Sequence, residues 1–224
     1  MLYNGFNYYI SVFFHFKRSV DIMSKNEDSI LKLLQNIRDM DYIKPDEIPG
    51  ISLYMDQVTT LFNEHLESSK RHTDDKILTK TMINNYTKNK VLPPPEKKKY
   101  SRDHMLLLLF TYYLKNFLSI SDVQEILAPI IADFHKQGAS PDLDKIYREI
   151  FSLCHDSMAN MTKSVIRDLN MAKDAFPEVP DGQERDTLTN FAFISLLSFD
   201  VYVKKMLIEK LLDEPASAEP GKQR

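Results

Sequence analysis

Apolar residues recur along this chain at steps of three and four, the spacing that gathers side chains on one side of a helix. Ile30, Leu33, Leu34 and Ile37 form the first such run and predict a helix over 28–40, which Pro45, Pro49 and Gly50 bring to an end. Met55, Val58, Leu61, Phe62 and Leu66 predict a second helix over 55–66, followed by a polar and basic loop over 68–76. A third helix is expected over 79–90, opened by Thr79, whose hydroxyl can accept a backbone N–H two or three residues on. Its apolar set, Met82, Ile83 and Tyr86, is narrow, so Lys80, Thr81, Asn84, Asn85 and Lys88 point mostly elsewhere. VLPPPEKKKY, residues 91–100, cannot continue that helix, because proline lacks an N–H donor and fixes φ. An extended excursion returning at Tyr100 is expected there.

Ser101 is placed to cap the next helix, which runs to Asn116. Leu106 to Phe110 is apolar all round, so this helix is expected to be buried on more than one side. After a break at Leu118-Ser119, Ser121-Asp122 is expected to cap a helix running through Phe134, and Gly138 to Pro141 marks a boundary. Leu143, Tyr147, Ile150, Cys154, Met158, Met161, Val165 and Leu169 then predict one long helix from Asp142 to Ala175, about 50 Å at ~1.5 Å per residue. A last helix over 186–212 is strongly apolar through Val203. Asp200, Ser195 and Ser198 within it argue for burial in protein rather than a membrane span. Residues 213–224 read as a disordered tail. The expected fold class is therefore all-α, mainly helical.

Residues 1–22 differ from the rest. Their apolar stretch, Tyr8 to Phe16, is too short to span a bilayer and lacks the flanks of a signal peptide. The codons open to Lys17-Arg18-Ser19 can spell a purine-rich run resembling a bacterial ribosome-binding site, just ahead of Met23. The expectation is a translated leader over 1–22 with Met23 as the start; the alternative is a short amphipathic membrane anchor. With one cysteine, Cys154, no internal disulfide can form, and a reducing cytoplasm is expected.

A net charge of −3 argues against a polyanionic partner, but its distribution reverses that reading. Residues 70–102 hold ten Lys/Arg and three acids, a local +7 that leaves −10 for the remainder. Such a segment is the electrostatic footprint of a nucleic-acid-binding module, or, on a plainer reading, a solvated lysine-rich loop. Helix, loop, helix, proline-bearing excursion and two further helices is the order of a winged helix-turn-helix, with the 79–90 helix entering the major groove. On that arrangement Asn84 and Asn85 are of the type that pairs bidentately with adenine, and the outward Thr81 is a further candidate DNA contact. Lys80, Lys88 and Lys90 hold phosphates, Lys97, Lys98 and Lys99 contact the flanking backbone with Tyr100 stacking or hydrogen-bonding nearby, and Tyr86 and Arg102 are further candidate DNA contacts.

LTKTMINNYTKNKVLPP, 78–94, resembles the recognition helix and wing approach of MerR regulators: a hydroxyl cap (Thr79), an apolar pair (Met82-Ile83), a tyrosine (Tyr86) and an exit (Val91-Leu92-Pro93-Pro94). YSRDHMLLLLFTYYLKNFLSISDVQEIL, 100–127, resembles the end of the MerR wing and the two helices after it. Asn84 stands where that family has an arginine, Lys90 where it has a glycine, and the link between the second and third helices is longer than a tight turn. The block from Thr81 to Leu127 also resembles a family of uncharacterised proteins of Gram-positive bacteria, a domain of unknown function. These resemblances imply a MerR-like winged helix-turn-helix over 51–135, preceded by a helical arm over 23–50. They also imply a helical region over 140–212 that dimerises or senses an effector.

Other chemistry finds little footing. His15, His65, His72, His104, His135 and His155 have no metal-ligand spacing, and no glycine-rich phosphate loop or nucleophile elbow is present. No catalytic residue, metal or cofactor is expected, nor a membrane partner. The function implied is a DNA-binding transcriptional regulator, a homodimer on double-stranded DNA with an unidentified effector. The alternative is a protein-interaction adaptor that keeps the fold without reading DNA.

Overall fold

The computed structural model describes residues 27–38, 43–135 and 138–214. The expectations for 1–22 and for the tail beyond Glu214 lie outside the described residues. Among these residues the chain is mainly helical, with seven helices and two short strands. In order they are α1 (Glu27–Arg38), β1 (Leu53–Tyr54), α2 (Met55–His65), α3 (Lys80–Lys88), β2 (Lys99–Tyr100), α4 (Arg102–Lys115), α5 (Ile120–Phe134), α6 (Leu143–Asp174) and α7 (Gln183–Asp213). No helix among the described residues is long and apolar enough to cross a membrane.

The described residues divide into two compact units, one of residues 27–38 with 156–203 and one of 43–135 and 138–155 with 204–214. In the first, Ile30 and Leu34 of α1 meet Leu169 and Ala172 of α6 and Phe193 of α7 in a small apolar core. In that unit α6 and α7 thus pack within one chain.

The second unit is built around α4. Met105, Leu106, Leu107, Leu108 and Leu109 are all fully buried. Five consecutive residues at ~100° apiece sweep the whole circumference of a helix, so neighbours must cover it on every side. Val58 and Phe62 of α2, Ile83 and Tyr86 of α3, Val123 and Leu127 of α5, and Leu143 and Tyr147 of α6 share that core. The helix start after α4 differs from expectation by two residues. Ser119 is the cap: its hydroxyl accepts the Asp122 N–H at 3.1 Å, and the Asp122 carboxylate accepts the Ser119 N–H at 2.9 Å. Those bonds from Ser119 hold the Asp122 carboxyl below its usual range. Asp122 serves as the partner three residues inside the helix rather than as part of the cap.

Polar links set the register of the pieces. The 14-residue stretch between α2 and α3 is pinned by one side chain. Asn63 donates to the Leu78 carbonyl at 3.0 Å and accepts the Ile77 N–H at 3.2 Å, so its amide does the work of a short turn. Segment 43–48 is held just as firmly. Arg102 donates from one guanidinium to the Pro45 and Ile48 carbonyls and to the Asp144 carboxylate, while the buried Tyr147 hydroxyl donates to the Ile43 carbonyl at 2.7 Å. Burial works against the charge of Asp144, but hydrogen bonds from Arg148 and Arg102 outweigh it and lower its pKa.

Replacing Asn63 by alanine strands the Ile77 N–H and the Leu78 carbonyl, both on buried residues. Urea unfolding of Asn63→Ala is expected to show a loss of about 1–3 kcal/mol at unchanged slope; a loss inside measurement error would mean the link carries nothing.

Candidate nucleic-acid interface

The nine residues of α3 divide cleanly between two faces. Thr79 caps the helix, its hydroxyl accepting the Met82 N–H at 3.2 Å. That anchors the rotation at which Ile83 and Tyr86 enter the core and Met82 sits half-buried. Lys80, Thr81, Asn84, Asn85 and Lys88 are all exposed. Their spacing, two rows at steps of four, makes one continuous polar face. Asn84 makes no side-chain hydrogen bond among the described residues, which leaves its donors and acceptor for a ligand. Asn85 is partly used, since it accepts from the Asn89 amide at 3.0 Å.

The helix ends on a left-handed residue. Lys90 takes φ 58 and turns the chain so that the Val91 N–H reaches the Tyr86 carbonyl at 2.9 Å. Glycine adopts this conformation freely, whereas a residue with a Cβ pays on the order of 1 kcal/mol. Buried Val91 and Leu92 hold the turn in place.

The excursion is more compact than expected. After the prolines, Glu96 and Lys99 face each other across a two-residue turn, with the Lys99 N–H donating to the Glu96 carbonyl at 2.8 Å. Lys97 at φ 49 and Lys98 at φ 65 occupy its centre, the paired positive φ values of a hairpin turn. Lys99 and Tyr100 then pair antiparallel with Tyr54 and Leu53. The three lysines are therefore displayed on a tight, exposed tip.

Two contacts draw this tip and the start of α3 toward a common point. Lys80 forms an ion pair with Asp56 on the first turn of α2, and the Lys99 ammonium lies 5.1 Å from the centre of the Tyr54 ring just ahead of that turn. Lys88 and Lys90 sit at the other end of α3, about 13 Å away along a nine-residue helix.

Three residues expected at the interface are placed elsewhere. Tyr86 is 4% exposed and packs in the core, its phenol pushed up in pKa by burial. Tyr100 is 2% exposed, because alternation along β2 turns it inward while Lys99 turns out. Arg102 is spent on the 43–48 segment and Asp144, so its charge is not offered to a ligand. Sequence reasoning missed Asp56 and Tyr54, whose roles depend on the β1–β2 pairing and leave no local signal. Among the described residues no group of three His, Cys, Asp or Glu could hold a metal ion.

Segment 43–48, α2 to α5 and the first turns of α6 thus form a single closed piece of structure. A domain of unknown function, DUF1836, spans residues 43–150. Ile43, at the start of the DUF1836 match, and Tyr147, near its end, are joined by the buried hydroxyl bond, so the domain's limits coincide with the contacts that close it. The two blocks that carried the resemblances noted from the sequence fall within it. No curated protein and no solved structure matches the chain.

Inside the DUF1836 domain, His104 ties the proline segment to the start of α4. Its Nδ1 accepts the Ser101 N–H at 3.2 Å and lies 2.7 Å from the Ser101 hydroxyl, leaving Nε2, 3.4 Å from the Pro94 carbonyl, to carry the proton. Burial, and then the nearby His135 ring, lower its pKa against the opposing pull of the Pro94 carbonyl. A depressed folded pKa means stability present above the ordinary histidine value and lost as pH falls toward the folded one. Urea midpoints are expected to fall as pH drops below about 6.5, and His104→Gln, which keeps an acceptor for Ser101, should flatten that decline. An unaltered decline in the variant would assign it to other groups.

Proposed function

We propose that the chain is a DNA-binding transcriptional regulator in which residues 51–135 act as a MerR-like winged helix-turn-helix. The carrying observation is the division of α3, whose core side is fully committed while Lys80, Thr81, Asn84, Asn85 and Lys88 form one exposed face. A helix face of this composition suits a major groove, with asparagine for adenine edges and lysine for phosphates. The basic tip at Lys97, Lys98 and Lys99, adjacent to the start of α3 through Tyr54 and Asp56, would serve as the wing on the flanking backbone. In this reading Tyr86, Tyr100 and Arg102 support the interface from inside and do not touch DNA.

The proposal includes a homodimer formed through the helices beyond the DUF1836 domain. Phe191, Ile194, Phe199 and Tyr202 of α7 are exposed, Phe191 by 69%, and Met161 of α6 is exposed while Leu169 on the same apolar stripe is buried. Uncovered aromatic positions of this kind are characteristic of association surfaces. They equally favour a second reading, an adaptor that docks a different protein there and does not read DNA.

Fluorescence anisotropy of the full chain on a duplex from its own promoter and on a random duplex separates the two. A regulator loses affinity steeply with salt, the logarithm of the binding constant falling by about 0.9 per phosphate neutralised. Asn84→Ala is expected to cost about 1–3 kcal/mol on the specific duplex and far less on the random one. Equal binding to both duplexes, or none, favours the adaptor. Sedimentation velocity at micromolar concentration should show a dimer that Phe199→Glu dissociates; a wild-type monomer would end the dimer proposal.

A further inference from the structure

A cavity of about 400 Å³ opens behind α3, between the loop that precedes it and the last turns of α4. Its lining is chemically divided. Buried Ile77 and Tyr86 and half-buried Met82 supply an apolar part. Lys70, Arg71, Lys76 and Lys115 supply cations, with Asp75 the one acid. That acid is already engaged, accepting the His72 N–H at 2.9 Å, and Lys115 donates to the Leu118 carbonyl at 2.9 Å.

Two polar groups in the lining make no hydrogen bond among the described residues. The Lys70 side chain is only 15% exposed, yet its ammonium finds just the solvated Glu67 carboxylate, 3.7 Å away and beyond hydrogen-bonding distance. Tyr86, 4% exposed, makes no side-chain hydrogen bond among the described residues. Tyr112, also in the lining, is by contrast hydrogen-bonded to the Ser69 hydroxyl at 2.7 Å. An ammonium on a largely covered lysine stem and a tyrosine hydroxyl, neither hydrogen-bonded among the described residues and both lining a concave, half-apolar space, are the makings of a small-molecule site.

We propose that this cavity binds a small anion carried on a flat apolar body, of the class of aromatic carboxylates and phosphate monoesters. The anionic group pairs with Lys70, supported by Arg71 and Lys76, and accepts the Tyr86 hydroxyl proton in a hydrogen bond. The apolar body lies against Ile77 and Met82. Occupancy does not rest on the DNA reading. If that reading holds, however, the ligand bears on the inner side of the very helix whose outer side carries Asn84, and the cavity is the effector site.

The test follows the Met82 methyl resonance of the full chain in the absence of DNA, with phenyl phosphate as probe. A saturable shift is expected, with the apparent dissociation constant raised about tenfold in Lys70→Met, a charge-pair loss. A smaller rise, about threefold, is expected for Tyr86→Phe, which removes one hydrogen bond and keeps the ring. Arg71→Ala, at an exposed position that leaves the core alone, should also weaken binding and guards against misfolding of the other variants. Benzamide, which lacks the charge, and inorganic phosphate, which lacks the ring, are expected to bind more weakly than phenyl phosphate. No saturable shift, an unchanged constant in Lys70→Met, or inorganic phosphate binding as tightly as phenyl phosphate would each overturn the proposal. A shift produced only by a short DNA duplex would also overturn it, and would place a backbone phosphate at the same cations.

Discussion

Met105 to Leu109 leave α4 with no solvent side, and the arrangement of the unit around it follows from that requirement. A fully buried leucine contributes about 1.5–3 kcal/mol relative to an exposed one, so five adjacent buried residues reward any packing that surrounds them. α2 and α3, α5, and the start of α6 each supply part of the cover. The DUF1836 domain therefore has to include the beginning of a helix that continues well past it, because without Leu143 and Tyr147 one flank of the core would lie open.

Apolar burial of this kind is indifferent to register, and polar links supply what it lacks. Asn63 fixes where α3 begins relative to α2, while Arg102, reaching two carbonyls and Asp144, fixes where segment 43–48 lies. Each such bond adds little net stability, but a partner left unsatisfied in the core costs far more. That asymmetry makes one alignment preferable to its near neighbours.

The same economy shapes the basic segment. Its apolar residues, Ile77, Leu78, Ile83, Tyr86, Val91, Leu92 and Tyr100, all turn inward, which leaves the lysines between them on the solvent side, Lys80 against Asp56 and Lys99 over the Tyr54 ring. Three of those lysines, Lys90, Lys97 and Lys98, take left-handed backbone positions. Buried Val91 and Leu92 follow the first of them, and buried Tyr100 lies two residues beyond the last. As a result α3 meets solvent with one face and the Lys70 cavity with the other, so the two proposals concern opposite sides of a nine-residue helix.

Much of this was legible in the sequence, for a definable reason. α1, α2, α3 and α6 were announced by apolar spacing, α4, α5 and α7 by caps or by runs of apolar residues, and Thr79 by its hydroxyl one step ahead of α3, because these signals are local in the chain. The cap of α5 was misplaced by two residues, since Ser119 and Ser121 offer the same hydroxyl and only the bonds to Asp122 choose between them. The outward set on α3 was correctly separated from Met82, Ile83 and Tyr86, although Tyr86 was offered to the interface as well, and Tyr100 could not be assigned to the core from composition. A tyrosine suits an interface as well as an interior, and the choice depends on what packs against it. Arg102 carried the same ambiguity, resolved by carbonyls more than fifty residues away. The β1–β2 pair, the tight lysine turn, the Asn63 link and the Lys70 cavity had no local signature at all. Each exists only where segments distant in sequence come together, and that is a property of the folded chain.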